Sequence, residues 1–548
     1  MSEQDLSKET TEELSRRAFL GRSLQVAGTA MPLVLLTACK SDDESFFGST
    51  EDNKQNEEDD TSDDANDDTG DNGNDGDSGD NGDQPDSGDG SEQPEPKETD
   101  LTLRDTPDEN GLYLPEGFSS RIIAESGLLI KGTGFLAPFP MFPDGAYSFA
   151  DPENDGGWIH VINKEVPAIG GAIAVRFDKD GNISDAYSIL NHTNTNCAGG
   201  FTPWGSWLSC EEVSSGTSWE THPLGKGTFN GVEYPIRQDY LGIFKHEAGV
   251  VDASNKTIYL TEDQSDGCFY RFVADDPQPW DGSVKGDLSK GQLQVAVVRA
   301  NGALLANTGS LSTNNLPTMT VEWVNVPDYM AGYESWNLDF LTGSLATTLT
   351  GLGVYLADAI FDADPPNPTR YQVNEATVFN GGEGCWYHEG KVYFTTKGDN
   401  RVWEYVVESR KLSILYDEDF YLDPILTGVD NLIVESHHDH IVVAEDGGNL
   451  EAVVITPENK LMPLVRLSPK GHYGSEITGL AFNPQRTRFY FNSQRGSSSG
   501  PLLAEMSVFI PKDVQDQMDE KMLNQMPGNG GGITYEIYRD DGLPIFGS

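Results

Sequence analysis

The sequence predicts an all-β chain folded as a β-propeller that carries inserted loops or a small subdomain. Three observations predict it. From Leu101 onward, short apolar runs rich in Val, Ile, Tyr, Phe and Trp alternate with Gly, Asn, Asp and Pro, and stretches of helical period are few. Six of these runs end in a polar or charged pair and recur at intervals of about 49 residues, the size of a four-stranded propeller blade, apart from one longer gap. A second polar group opens a strand about 14 to 18 residues before most of the end points and keeps step with them.

Residues 1–39 read as an export address. Ser15 to Gly21 is SRRAFLG, a twin-arginine pattern, and it precedes an apolar stretch from Leu24 to Ala38 that is too short for an ordinary spanning helix. The stretch closes on LTAC, Leu36 to Cys39, which is similar to a bacterial lipobox, so Cys39 is the expected lipidation site. Residues 40–100 hold 24 Asp+Glu against Lys40, Lys54 and Lys97 and almost nothing apolar. Such a segment cannot offset the entropy of ordering its backbone, so it is expected to be a disordered acidic tether. The protein should then be exported, either periplasmic or at the cell surface, and joined to a membrane through Cys39. Lys40 is not the acidic residue associated with inner-membrane retention, which in a cell with two membranes favours outer-membrane or surface display.

Residues 101–548 form the predicted propeller domain. Its repeating runs are WIHVINKE (Trp158 to Glu165), WLSCEE (Trp207 to Glu212), IYLTED (Ile258 to Asp263), VYFTTK (Val392 to Lys397), IVVAED (Ile441 to Asp446) and FYFNSQ (Phe489 to Gln494). The longer gap holds one or two more blades or a large insertion around Asn301 to Asp364. The strand-opening groups are Cys197 in NCAGG, Glu247 in HEAGV, Glu383 in GEGCWY, Asp430 in DNLIV and Glu476 in SEITGL. Innermost strands line a propeller's channel, so in-phase positions form rings around one axis. Two rings of carboxylates gathered there repel one another and call for cations.

With 36 Lys+Arg against 89 Asp+Glu and a net charge of −53, a nucleic-acid partner gripped through phosphates is excluded. Five cysteines cannot staple a chain of this length. There is no Walker loop or Rossmann fingerprint. Cys197 is chemically distinctive, because calcium takes oxygen donors whereas a thiolate selects a transition metal.

CAGGFTPWGSWLSCEE (Cys197 to Glu212), FKHEAGVVDASNKTIYLTEDQSDGCFYRF (Phe244 to Phe272), EGCWYHEGKVYFTTKGDNRVWEY (Glu383 to Tyr405), DNLIV with VAEDGG, and SEITGLAFNP with FNSQ resemble the PhoX-type alkaline phosphatases. The resemblance runs from about Tyr113 to Pro501. It implies a six-bladed propeller whose axial site holds Fe3+ and Ca2+ and hydrolyses small phosphate esters at alkaline pH. By the same resemblance Cys197 is an iron ligand, and Glu212, Glu262 and Glu383 match glutamates that hold or bridge the metals. Glu211, Glu247, Asp430, Glu445, Asp446 and Glu476 join the expected ligand set from their places in the rings and motifs. His246 is read as a ligand or a donor to a phosphoryl oxygen, with a hydrogen-bonded structural role as the alternative. Cys197, Glu262, Glu383 and His246 are thus the expected catalytic groups. Pro203, Trp204 and Trp207 shape the pocket or fill the core, and Cys210, Cys268 and Cys385 are expected in the core.

The chain departs from the family at one position. PhoX-type enzymes usually read Arg-Pro-Glu-Gly where Gly381-Gly382-Glu383-Gly384 stands, so a phosphate-gripping arginine is missing at Gly381. Lys245, Lys397 and Arg495 lie beside strand-end motifs and are the candidate replacements. The leading expectation is an exported metal-dependent phosphatase acting on phosphomonoesters. The alternatives are a propeller phosphodiesterase, phytase or lactone hydrolase, or a non-catalytic calcium-binding propeller.

Overall fold

The computed structural model describes residues 101–130, 139, 142–167, 169–331, 364–365, 367–472, 474–497 and 531–547. The twin-arginine segment, Cys39, the acidic tether and residues 332–363 of the expected insertion lie outside these residues. No helix among the described residues is long and apolar enough to cross a membrane.

The described residues form six antiparallel blades. Blade I comprises Pro143–Ala150, Trp158–Lys164, Gly170–Phe177 and Ile183–Thr193. Blade II comprises Asn196–Phe201, Trp207–Glu211, Ser218–Thr221 and Ile236–Arg237, and blade III His246–Asp252, Thr257–Glu262, Phe269–Ala274 and Gly291–Ala300. Blade IV runs through Gly382–His388, Lys391–Thr396, Arg401–Val406 and Lys411–Asp417, and blade V through Val429–Glu435, His440–Glu445, Glu451–Ile455 and Leu461–Leu467. Blade VI takes Ile477–Phe482, Arg488–Ser493 and Ile533–Arg539, and its outermost strand is Phe118–Glu125 from the start of the domain. That pairing closes the ring by joining its two ends in one sheet.

The long gap between Asp263 and Lys397 holds an excursion, and no further blade stands there among the described residues. Met319–Asn325 pairs along Gly291–Ala300 and then meets blade IV through Met319 opposite Leu412 and Thr320 opposite Lys411. Blades III and IV thereby share one ten-stranded sheet.

The core lies between blades, where outward faces of adjacent sheets interlock aromatic side chains. Phe269 of blade III stacks on Phe394 of blade IV at 4.3 Å, and Phe394 continues onto Trp403. Each innermost strand loses register after its first one or two residues, between Pro143 and Ala146, Asn196 and Gly199, His246 and Gly249, Gly382 and Cys385, Val429 and Leu432, and Thr478 and Ala481. A bulge bends the strand and re-aims a side chain. In blades I to V it turns one residue per blade toward the axis. Neighbouring inner strands come so close below that level that a Cβ on Gly145 would lie 2.5 Å from Ala198 Cα, and one on Gly384 2.5 Å from Leu432 N. Glycine is required at both by close approach of the neighbouring backbone.

Candidate metal centre

The bulges converge Asp144, Cys197, Glu247, Glu383 and Asp430 from the inner strands of blades I to V. The residues that follow the second strands converge as well, and here Glu165, Glu212 and Asp446 contribute carboxylates and Lys397 an ammonium. Glu476, just ahead of the inner strand of blade VI, completes an arc. Its donor atoms fall into four overlapping groups: Asp144, Glu165 and Cys197; Cys197, Glu212 and Glu247; Glu247, Glu383 and Asp430; Asp430, Asp446 and Glu476. Within each group they lie within 4.8 Å of one another.

The arc is held from behind. Gln494 Nε2 donates to Asp144 Oδ2 and to Glu165 Oε2, both at 2.5 Å, and Asn431 Nδ2 donates to Asp430 Oδ1 at 2.7 Å. Arg495 Nη1 is 2.7 Å from Glu476 Oε1. Lys397 Nζ lies 2.8 Å from Glu383 Oε1, 3.4 Å from Asp446 Oδ2 and 3.8 Å from Asp430 Oδ2. Glu247 Oε1, Gln494 Oε1 and, despite the nearby Lys397 ammonium, Glu383 Oε1 are buried without a hydrogen-bond partner. An orphaned buried carboxylate oxygen aimed among other donors is what a metal site presents when its ion is taken away.

Electrostatics agree. Burial, and then the charges of Asp144, Glu247, Glu165 and Glu212, push the Cys197 thiol well above its ordinary value. Burial and neighbouring carboxylates raise Asp144, Glu212 and Glu247 well above theirs, and Asp430 is pushed up to about 6 by burial against the pull of Lys397. The donor set is one soft sulfur among hard oxygens. It fits a transition metal at the Cys197 end and oxygen-loving divalent ions elsewhere.

Several expected residues stand apart. Glu211, Glu262 and Glu445 occupy equivalent strand ends, and each turns into its own blade to accept backbone N–H groups from the segment leading into the inner strand or from the turn that follows. Glu211 accepts from Asn194 and Thr217, Glu262 from Cys268, and Glu445 from Thr427 and Glu451. Glu262 also accepts from the Tyr270 hydroxyl at 2.8 Å and faces Arg370 at 3.5 Å. The axial groups are their neighbours: Glu212 and Asp446 belong to the arc, and the carboxylate charge of Asp263 bears on both Glu212 and Glu383. Successive strand residues face opposite ways, so a one-residue slip exchanges axis for blade.

His246 is not a ligand in this geometry. Its ring stacks on Phe244 at 3.6 Å, Nε2 donates to the Gly242 carbonyl at 3.1 Å, and burial pushes its pKa down to about 3. Trp207 is core, donating to Asn163 Oδ1, and Trp204 packs edge-on against Trp280 while donating to Glu220. Cys210, Cys268 and Cys385 are buried free thiols. Gly381, at φ +67°, sits beside Asp263 and Lys397: a Cβ there would lie 3.3 Å from Asp263 Oδ1 and 3.8 Å from Lys397 Cβ. Sequence reasoning passed over Asp144, which stands farther ahead of Glu165 than its counterparts do of theirs, because blade I begins with a longer hairpin. The Asp-Gly step, matching Glu383-Gly384, was the signal available.

The family model described as alkaline phosphatase PhoX matches residues 167–234 and 228–496. Among solved structures, PhoX of Pseudomonas fluorescens in complex with vanadate, a transition-state analogue, superposes with a TM-score of 0.55 at 14% identity, covering 81% of this chain and 98% of that one. A gluconolactonase from Xanthomonas campestris (TM-score 0.30, 9% identity, 78% and 89% covered) and the calcium-binding protein regucalcin from Agrobacterium tumefaciens (0.32, 11%, 75% and 92%) are too distant to bear on function. No curated protein sequence matches the chain significantly.

Proposed function

The chain belongs to the alkaline phosphatase PhoX family of phosphomonoester hydrolases, and from that premise we propose that it is an exported lipoprotein phosphatase whose axial arc holds iron and calcium. The observation that carries this reading is the single thiol of Cys197 within an otherwise all-oxygen arc of donors. Cys197, with Glu212 and Glu247, would hold iron, and Asp144 and Glu165 would bind beside it. Iron and calcium, when bound, supply the Lewis acidity that draws charge off phosphoryl oxygens.

The chain's own residues supply the frame. Gln494 fixes the rotamers of Asp144 and Glu165, and Asn431 fixes Asp430, so the donors are oriented before substrate arrives. Arg495, ion-paired to Glu476, is the guanidinium we assign to phosphoryl oxygens in place of the arginine missing at Gly381. Export and anchoring are supported by SRRAFLG followed by an apolar run that ends in LTAC at Cys39.

Turnover of a phosphomonoester, a phosphodiester and a lactone, measured on one preparation with iron and calcium supplied, tests the assignment. Monoester turnover that depends on both metals is expected. Faster diester or lactone turnover would move the chain to another substrate class, and no turnover of any with the metals bound would leave a binding propeller.

A further inference from the structure

Lys397 is the charge-inverted member of its ring. At the position following the second strand, blades I, II, III and V carry Glu165, Glu212, Asp263 and Asp446, and blade VI carries Gln494. Blade IV alone among these carries a cation. Its ammonium reaches Glu383, Asp446 and Asp430 at 2.8, 3.4 and 3.8 Å, bridging two of the four donor groups. The position is imposed by the backbone: Lys397 N donates to the Gly381 carbonyl and Gly398 N to the Asn380 carbonyl, and residues 397–399 form a tight turn. Gly381 has no side chain to crowd the lysine stem.

An ammonium and a divalent ion compete for the same oxygens. A calcium ion needs six to eight oxygen ligands at roughly 2.3–2.6 Å, and it would sit against the ammonium at repulsive range if it shared Glu383, Asp430 and Asp446 with Lys397. We propose that Lys397 is a built-in counter-cation that takes the place of a divalent ion among Glu383, Asp430 and Asp446. The arc is then divided. Blades I to III, around Cys197 and Glu247, bind metal, and blades IV to VI are neutralised by Lys397 and Arg495.

The inference rests on reading the arc as a metal centre, and metal counting separates the two. Full-length protein equilibrated with Ca2+ after chelator dialysis is compared with Lys397→Met and Asp446→Asn by elemental analysis and by melting temperature across a Ca2+ titration. Lys397→Met should bind one more Ca2+ per chain than wild type, and its melting temperature should become more steeply dependent on Ca2+. Asp446→Asn should keep the wild-type metal content. An unchanged Ca2+ count in Lys397→Met, loss of an ion in Asp446→Asn, or a Lys397→Met chain that stays unfolded at saturating Ca2+ would each overturn the proposal. Wild-type protein that binds no metal at all would overturn the metal-centre reading beneath it.

Discussion

Stripping the metals should turn the apo protein into a pH-sensitive one, by an amount the geometry bounds. Asp144 and Glu165 form one close carboxylate pair and Glu212 and Glu247 another, with donor atoms within 4.8 Å. Two full charges at that distance repel by about 3.5 kcal/mol at an effective dielectric of about 20. Both pairs together cost roughly 7 kcal/mol, a large part of the 5–15 kcal/mol by which a domain is typically stable. The apo protein therefore takes up protons instead of bearing that repulsion, in line with the raised pKa values of Asp144, Glu212 and Glu247. A carboxylate whose folded pKa lies above its unfolded value favours folding below the unfolded pKa, and the advantage is lost as pH rises through the folded pKa. The melting temperature of the chelated protein should fall steadily as pH is raised from about 4.5, while that of the metal-loaded protein should stay nearly level over the same range. Adding Ca2+ and iron to the apo protein at pH 7 in a pH-stat should release about three protons per chain, on the order of one per close pair and one from the Cys197 thiol as it binds iron. An apo melting curve that does not change with pH, with no proton release on metal addition, would refute the reasoning.

Other perturbations have equally definite outcomes. Cys39→Ser should leave the protein exported but free of membranes after a high-salt wash, because acyl chains supply the attachment; fractionation reads this, and a variant that still pellets counts against the lipobox. A chain beginning at Asp100 should melt cooperatively and keep full specific activity, since the preceding acidic segment has little apolar surface to bury. Loss of the transition would show that the segment packs on the propeller. Glu262→Gln should leave metal content unchanged and lower stability by about 1–3 kcal/mol, because it weakens the partner of a buried guanidinium; denaturant melts and elemental analysis on one sample check both.

The blade period was legible because each blade spends a similar length on the same four strands, and a polar strand end is visible in any sequence. The residues at the axis were legible only to within one position. Glu211 and Glu212 are adjacent and chemically alike, and which of them faces the channel depends on where the ladder stops, a tertiary matter of bulge and turn. The same ambiguity separates Glu262 from Asp263 and Glu445 from Asp446. His246 looked functional because its ring-stacking partner Phe244 and its carbonyl acceptor at Gly242 are both supplied by the turn that leads into the strand, whose fold the sequence does not spell out. Lys397 was visible as a strand-end cation, but its position among three carboxylates from blades IV and V appears only once the ring is closed.

The central claim is that Cys197 is a metal ligand, and Cys197→Ser tests it most directly. The substitution nearly preserves volume, so a packing thiol would cost on the order of 1 kcal/mol and leave iron and turnover unchanged. Elemental analysis, the visible absorption spectrum and a phosphomonoester assay are read on one folded preparation. The account predicts loss of iron, of any thiolate-to-iron charge-transfer band and of turnover, with the cooperative melt retained. A folded Cys197→Ser protein with wild-type iron content and wild-type turnover would contradict it.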